Sequence, residues 1–383
     1  MAYQFSLPGR IIIGENALQS SRSFIQSCGA NALIVTGKIV EKTAAFKAVT
    51  DLLDSCNISY SIFSEITGEP TDKMIEAGVK LYRETGSDFI IAVGGGSPLD
   101  SAKAIAAMTT LDGNISDYMG KEITGAFPPV VLIPTTAGTG SEATKFTIIT
   151  DTQRNIKMLL KGDALLPQLA VIDYTFTMTA PQGITAATGM DALTHAVESY
   201  TSKKANEMTD MYALDAIKKI FKYLPEAYNN GYDKRARKEM AIASFEAGVC
   251  INNASVTLVH GMSRPIGALF HVPHGISNAM LITECLKYAM DGCCERFAEM
   301  ARAIGAANDK TGDIEAARAF ISELEKLCRV LNIPTLAEYG IKKEDLNACV
   351  NKMADDAMAS GSPSNTIKNI TKEDLLIIYQ KLW

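Results

Sequence analysis

The sequence predicts an α/β domain over residues 1–181, followed by an all-α domain over residues 182–383. In the first part, short β-branched runs alternate with segments of helical periodicity, which is the pattern of a parallel sheet covered by helices. In the second part, apolar residues recur at helical spacing and strand-like runs are few. The Pro and Gly of TAPQG, residues 179–183, mark the change of period and therefore the expected domain boundary.

The predicted strands of the α/β domain are short apolar runs that end in turn residues. They are ALIVTG (32–37), ISYSIFSEI (58–66), DFIIAVGGGS (88–97), the start of PPVVLIPTTAGTGS (128–141) and LAVIDY (169–174). Helices are predicted over residues 42–56 and 71–85, and again after the glycines that end the third run. Beyond residue 183, stretches such as AVESYTSKKANEMTDMYALDAIKKIFKYL place apolar side chains on one helix face, which predicts a helical domain.

The composition is that of an ordinary globular protein, with 47% apolar residues among 383 and a net charge of −6. The acidic balance and the lack of a basic run argue against a nucleic-acid partner. The start of the chain has no basic region before a long apolar core, and no apolar run approaches bilayer length, so no membrane partner is expected. Eight cysteines without a CxxC pair fit reduced thiols, and we expect a cytoplasmic protein.

A glycine-rich segment, FIIAVGGGSPLDSAKAIAAM, joins a buried strand to a helix. Ser97 is expected to cap this helix, with Pro98 at its first position and Asp100 at capping-box spacing. Glycines let backbone N–H groups approach an anion, and the helix N-terminus adds a favourable dipole, so a pyrophosphate would fit. The segment matches neither GxGxxG nor the P-loop pattern, and a simple tight turn is the alternative.

A second loop, PTTAGTGSE at residues 134–142, follows another predicted strand. Its Gly, Thr and Ser residues offer the additional hydrogen-bond donors that a dinucleotide needs, whereas the alternative is an ordinary solvated loop. Taken together, the two loops favour a dinucleotide-binding domain.

The four histidines of the chain, His195, His260, His271 and His274, all lie within residues 195–274. Asp191 precedes His195 by four positions, so both side chains would lie on one face of a helix. A carboxylate and several imidazoles are the ligands that a divalent transition metal prefers. The sequence therefore predicts a metal site made by Asp191, His195, His260 and His274; the alternative is a surface Asp–His pair with unrelated core histidines.

These motifs resemble the iron-dependent (group III) alcohol dehydrogenase family. GGGSPLDSAK, PTTAGTGSE, the Asp191–His195 helix and HGMSRPIGALFHVPHG follow the order and the spacing of that family, from FxxPGRIIIGENAL to the C-terminal helices. The resemblance implies the dehydroquinate synthase-like fold of iron-containing alcohol dehydrogenases, with a dinucleotide-binding domain before a helical metal-binding domain. It also implies a homodimer that uses NAD or NADP and Fe(II), or Zn(II), to interconvert short-chain aldehydes and primary alcohols.

The same resemblance implies roles for individual residues. It places the metal on Asp191, His195, His260 and His274; the pyrophosphate on Gly95, Gly96 and Ser97; the nicotinamide side of the cofactor beside Thr135, Thr136, Thr139 and Ser141; the ribose near Lys157; Asp100 close to the cofactor; and Phe146 at the border of the substrate pocket.

Two positions depart from the family pattern. Many members carry an acidic residue at the end of the second strand, where it rejects a 2′-phosphate, but here Gly37 and Lys38 occupy this position. We therefore expect NADP to be at least tolerated. Many relatives also carry a histidine where this chain has Arg264, and arginine cannot shuttle a proton at neutral pH.

Arg264 can instead bind a carboxylate, sulfonate or phosphonate, which makes an anionic two-carbon aldehyde such as sulfoacetaldehyde a candidate substrate. A structural ion pair of Arg264 is the alternative. His271 follows Arg264 by seven residues, two helical turns if the helix continues, and could take over proton relay.

Two other functions are compatible with parts of the sequence. A dehydroquinate synthase-like lyase would use NAD and a metal, but it must bind a phosphorylated acid with several basic residues, and only Arg264 is basic near His260 and His274. A catalytically silent metal-binding protein is the second alternative, although both loops and all four metal ligands are intact.

Overall fold

The computed structural model describes residues 2–383, which divide into two compact units. One unit comprises Ser6–Ala180, and the other comprises Pro181–Trp383 together with residues 2–5. The ring of Phe5 stacks on that of Tyr212 with centroids 6.2 Å apart, which ties the N-terminal residues to the second unit. No sequence motif predicts this arrangement.

The first unit is built on a six-stranded parallel sheet in the order β1-β8-β5-β4-β2-β3. Its strands are β1 (Ile11–Ile13), β2 (Asn31–Val35), β3 (Ser59–Phe63), β4 (Phe89–Gly94), β5 (Val130–Pro134) and β8 (Leu169–Ile172). Its helices are α1 (Ala17–Ser20), α2 (Arg22–Cys28), α3 (Ala44–Ser55), α4 (Asp72–Thr85) and α5 (Gly96–Met108). The predicted parallel α/β architecture is confirmed.

Alternate residues of the central strands face two separate hydrophobic cores, because side chains point to opposite faces of a sheet. On one face, Leu33 and Ile90 pack with buried residues of α4 and α5. On the other face, Ile34 and Ile91 pack with buried residues of α2 and α3. Burial on both faces explains why these strands are continuous apolar runs rather than alternating ones.

An antiparallel hairpin of β6 (Phe146–Asp151) and β7 (Ile156–Lys161) was not predicted. In β6 buried and half-buried residues alternate, the pattern of a strand with one covered face. The turn between the strands contains Asn155 with a φ of 54°, a left-handed conformation that asparagine tolerates.

The expected cap of α5 by Ser97 is wrong. The helix begins at Gly96 with Gly95 as its N-cap, and no side chain caps it. The reason is packing against the second loop, because a Cβ on Gly96 would lie 2.9 Å from Cγ2 of Thr139. Glycine at this position allows the two loops to touch, and Ser97 is drawn into the first helical turn.

The second unit is helical, as predicted. Its helices are α6 (Gln182–Tyr200), α7 (Glu207–Asn229), α8 (Lys234–Ala254), α9 (Leu258–Phe270), α10 (His274–Ala289), α11 (Cys294–Ala303), α12 (Asp313–Val330), α13 (Leu336–Tyr339), α14 (Lys343–Ala359) and α15 (Lys372–Lys381). Helix α6 is buried along most of its length and packs against α7, α8 and α10. Polar residues on α6 are therefore held in the interior of this unit.

No single helix within residues 2–383 is long and apolar enough to cross a membrane. Helices α8 and α9 meet the criteria of length and composition only as a pair bent by 103°.

Candidate functional site

Three helices of the second unit bring the predicted metal ligands together. Asp191 and His195 lie on α6, His260 lies on α9, and His274 is the first residue of α10. The Nε2 atoms of His195, His260 and His274 lie 3.9, 3.7 and 3.6 Å from Oδ1 of Asp191. Tetrahedral donors bound about 2.1 Å from an ion would be about 3.4 Å apart. Ligand atoms of Asp191, His195 and His260 all lie within 4.8 Å of one another, close enough to hold one metal ion, and His274 approaches the same carboxylate oxygen.

Two of the donors, Asp191 and His274, are also in a suitable electrostatic state. Burial favours the neutral acid, but the imidazoles, His195 foremost, hold the pKa of Asp191 below its ordinary value. Partial burial lowers the pKa of His274, which favours the unprotonated imidazole that a metal requires. An ionised carboxylate with three imidazoles suits Fe(II) and also Zn(II).

The approach of α10 to α6 depends on Gly275. A Cβ at this position would lie 2.4 Å from the carbonyl oxygen of Ala187 in α6. Because a backbone atom cannot move aside as a side-chain end can, glycine permits the close contact. It thereby allows the neighbouring His274 to reach Asp191.

Glu198 was not identified from the sequence, although it contacts a predicted metal ligand. Its Oε2 accepts a hydrogen bond of 2.6 Å from Nδ1 of His260, and its Oε1 accepts bonds from Thr257 Oγ1 and the Val259 backbone N–H. Burial opposes the charged form of His260, but Glu198 and Asp191 outweigh it and raise its pKa. Glu198 therefore both stabilises the start of α9 and orients His260 with Nε2 toward the other donors.

Asn278 is a second residue that sequence reasoning missed. Its Nδ2 donates to Oδ1 of Asp191 at 2.7 Å and lies 3.1 Å from Nε2 of His260 and 3.3 Å from Nε2 of His274. Spacing could have revealed both residues, since Glu198 follows His195 by three positions and Asn278 follows His274 by four.

Arg264 lies one helical turn after His260 on α9, at the spacing that places both on one face. Its Nη1 donates to Oγ of Ser362 at 3.0 Å, and among residues 2–383 the structure records no carboxylate in an ion pair with it. Burial lowers the pKa of Arg264 and the charge of Glu198 raises it, so a structural role beside Glu198 stays an alternative to anion binding.

His271 does not continue the helix of Arg264. Helix α9 ends at Phe270, and His271 is exposed with a φ of 55° in the left-handed region. His271 therefore does not lie two helical turns beyond Arg264, because the helix ends one residue earlier. Proton relay by His271 stays a prediction.

In the first unit, the predicted cofactor loops meet at the carboxyl ends of β2, β4 and β5. The chain leaves β2 toward β3 on one side and continues with β4 and β5 on the other, so a topological switch point lies between β2 and β4. Ligands of open α/β sheets bind at such points. Gly37 follows β2 and Gly95 follows β4, and the Thr135 backbone N–H donates to the Gly94 carbonyl at 2.9 Å.

Three of the predicted cofactor residues have protein partners, namely Gly37, Lys38 and Lys157. Gly37 bridges to Glu65, and Nζ of Lys38 lies 3.1 Å from a carboxylate oxygen of Glu65, which was not identified from the sequence. Lys157 on β7 pairs with Glu69 at 2.6 Å. These ion pairs show where carboxylates lie around the loops.

Other residues of this group lie on α5 and on the loop that follows β5. Thr136 and Thr139 face Gly95 and Gly96, and Ser97 lies in the first turn of α5. Ser141 donates a hydrogen bond to Asp100, and Phe146 begins β6 half-buried. Their roles toward cofactor and substrate stay predictions.

The Glu198 contact leads to a prediction about metal affinity. Glu198→Gln keeps the size of the side chain but removes the charge that orients and polarises His260. Metal affinity should fall roughly 10- to 100-fold in a chelator-competition titration. Glu246→Gln is the matched control, because Glu246 is a buried glutamate of the same unit paired with Lys219. Equal affinities for parent, control and Glu198→Gln would show that Glu198 does not support the site.

Several known proteins are similar to this chain over nearly its whole length. A NAD-dependent methanol dehydrogenase of Bacillus methanolicus is 35% identical over 362 residues, covering 94% of this chain and 95% of that relative. The crystal structure of a 1,3-propanediol oxidoreductase superposes with a TM-score of 0.96 at 32% identity, covering both chains completely. A sulfoacetaldehyde reductase from Bifidobacterium kashiwanohense, solved in complex with NAD+, gives a TM-score of 0.88 at 27% identity over 100% of this chain and 99% of that one.

Two family descriptions match consecutive parts of the sequence. Residues 8–174 match iron-containing alcohol dehydrogenase, and residues 185–383 match the C-terminal part of the Fe-containing alcohol dehydrogenase family. With the ligand cluster and the fold described above, these matches confirm the resemblance: the chain belongs to the iron-containing alcohol dehydrogenase family.

Proposed function

We propose that this protein is a metal-dependent, NAD(P)-linked oxidoreductase that interconverts a short-chain aldehyde and its primary alcohol by hydride transfer. The convergence of three imidazoles on one carboxylate carries the proposal. The loops at the switch point of the parallel sheet support it, as does the methanol dehydrogenase activity named for a relative.

Asp191, His195, His260 and His274 would hold Fe(II), and Zn(II) suits the same donors. When bound, such an ion polarises the substrate C=O as a Lewis acid, and the reduced nicotinamide supplies the hydride. Glu198 keeps Nε2 of His260 directed at the cluster, and Asn278 holds Oδ1 of Asp191 through its amide. Phe146 is proposed to border the substrate.

The proposal is tested by NAD(P)H oxidation with neutral and anionic short aldehydes after loading with Fe(II) or Zn(II). Turnover is expected only with metal, and His260→Ala should lower kcat/KM roughly 1000-fold together with metal content. His271→Ala is the matched control for metal content, because its imidazole lies outside the ligand cluster. A metal-free His260→Ala protein with the parent's turnover would refute the proposal, as would a metal-loaded parent without turnover.

We further propose an anionic two-carbon aldehyde, such as sulfoacetaldehyde, as the substrate. A guanidinium beside His260 without a recorded carboxylate partner among residues 2–383 can bind a sulfonate in two parallel hydrogen bonds. The sulfoacetaldehyde reductase among the structural relatives supports this substrate class.

Arg264→Gln tests the substrate proposal, since it removes the charge but keeps a polar side chain that can bond Ser362. The kcat/KM for sulfoacetaldehyde should fall roughly 100-fold, because hydrogen bonds to charged groups are lost. Acetaldehyde, measured in the same variant, is the internal control and should change little. A parallel loss for both aldehydes would show that Arg264 does not recognise the anion.

NADP is proposed to be accepted alongside NAD, because Gly37 offers no carboxylate to repel a 2′-phosphate. Gly37→Asp should raise the KM for NADPH relative to that for NADH roughly 10- to 100-fold through like-charge repulsion. Gly37→Ala controls for crowding, since a Cβ would lie 2.8 Å from the Ile66 carbonyl oxygen. If the parent already prefers NAD by more than about a thousandfold, another acidic residue binds the ribose hydroxyls and excludes the 2′-phosphate. Glu65, which forms a β-bridge with Gly37, is the candidate.

A cytoplasmic homodimer is proposed as the working form. Strand β1 is an edge strand of the sheet and pairs with β8 of its own chain, so its outer edge can pair with a second copy. All eight cysteines are free thiols in residues 2–383, which supports a reducing compartment.

A further inference from the structure

Lys103 is a buried lysine on α5 with 1% of its surface exposed. Its Nζ donates to the backbone carbonyls of Ser141, Thr144 and Phe146 at 3.0, 3.4 and 2.5 Å, and to Oγ1 of Thr144 at 3.2 Å. Every one of these groups serves as an acceptor, which matches an ammonium group that has three donors and no acceptor. The buried ammonium group of Lys103 therefore binds three backbone carbonyls of the segment that follows β5.

Asp100 completes this arrangement one helical turn before Lys103. Its Oδ1 lies 3.2 Å from Nζ of Lys103 and accepts the hydroxyl of Ser141, and its Oδ2 accepts the Ile148 backbone N–H at 2.9 Å. Both carboxylate oxygens are thus engaged by protein groups. Burial lowers the pKa of Lys103, and Asp100, ahead of Glu142, opposes this change, so Asp100 is the principal counter-ion of Lys103.

These bonds connect the two loops to which the cofactor was assigned. Helix α5 begins at the glycines that follow β4, and Ser141 belongs to the Gly/Thr/Ser loop that follows β5. The Phe146 carbonyl lies at the start of β6. Because Lys103 and Asp100 hold all three segments from inside, the spacing between the loops depends on a pair that lies below the binding surface.

We propose that Lys103, with Asp100 as its partner, is a positioning residue that fixes the separation of the two cofactor loops and so sets the affinity for NAD(P)H. The inference rests on the proposed use of NAD(P) and goes beyond it, because Lys103 acts through Ser141, Thr144 and Phe146 rather than by touching the cofactor.

Lys103→Met tests this role, since methionine keeps an unbranched side chain and removes the charge and the donors. Binding of NADH is measured by fluorescence titration, together with melting temperature and metal content. The Kd for NADH should rise roughly 10- to 100-fold, because the bonds by which the charged Lys103 holds the two loops at a fixed separation are lost. Metal content should stay at the parent's value, since the metal ligands belong to the other unit. Lys80→Met is the matched control, a lysine of the same unit with 75% of its side chain exposed.

Two further measurements separate positioning from stability alone. In Lys103→Ala, ethylammonium should enter the vacated space and lower the Kd toward the parent's value, whereas the bulkier tetramethylammonium at equal ionic strength should not. If Lys103→Met does not fold, Thr144→Val decides, because it removes one Lys103 acceptor and should raise the Kd about 3- to 10-fold.

The outcomes distinguish this inference from the proposed function. A parent protein that binds neither NADH nor NADPH refutes the proposed function. If the parent binds NADH and the folded Lys103→Met protein binds it equally well with only a lower melting temperature, Lys103 serves stability alone and the inference is overturned. Parent-like affinity in Thr144→Val overturns it where the methionine variant is unfolded.

Discussion

The predicted metal site of this protein depends on one carboxylate oxygen. Oδ1 of Asp191 lies within 4 Å of three imidazole nitrogens and also accepts the amide of Asn278. An ionised carboxylate is costly to bury unless positive or donor groups surround it. Before any ion is considered, therefore, Asp191 already requires these partners, and the packing of α6, α9 and α10 supplies them.

The predicted sites of the two units are built from different chemical groups. The sheet offers backbone N–H groups and small residues at the ends of strands, so its specificity lies in how closely two loops approach each other. The helical unit offers side chains from three helices, so its specificity lies in the helix faces that meet. In both units, buried charged groups lie beneath the surface that would contact ligands, with Lys103 and Asp100 in one and Glu198 in the other.

Much of this organisation was accessible from the sequence because the signals were local or rare. The apolar strands and the i, i+4 pair of Asp191 and His195 are short-range patterns, and a protein with few histidines makes their grouping informative. Glu198 and Asn278 have equally regular spacing, but glutamate and asparagine occur on so many helices that spacing alone does not select them. The structure singles them out by their hydrogen bonds to His260 and Asp191.

Other features could not be predicted, some because a tertiary contact overrides local preference and others because the local pattern is weak. The N-cap of α5 is Gly95 and not the predicted Ser97, because Gly96 packs against Thr139. This contact joins segments more than forty residues apart in the sequence, so local patterns do not reveal it. The end of α9 at Phe270 has a local cause, since Pro273 disfavours helical backbone at Val272. The strands of the β6–β7 hairpin contain charged and hydroxyl residues, which obscure the alternation of apolar and polar side chains in the sequence.

Glu198 performs two tasks with one side chain, since it binds backbone and hydroxyl donors at the start of α9 and the ring of His260. Evolutionary drift at this position is doubly restricted, because any replacement must satisfy an architectural and a chemical demand at once. An engineer who wishes to adjust metal selectivity would therefore do better to begin with Asn278, whose amide contacts the donors without also anchoring a helix terminus.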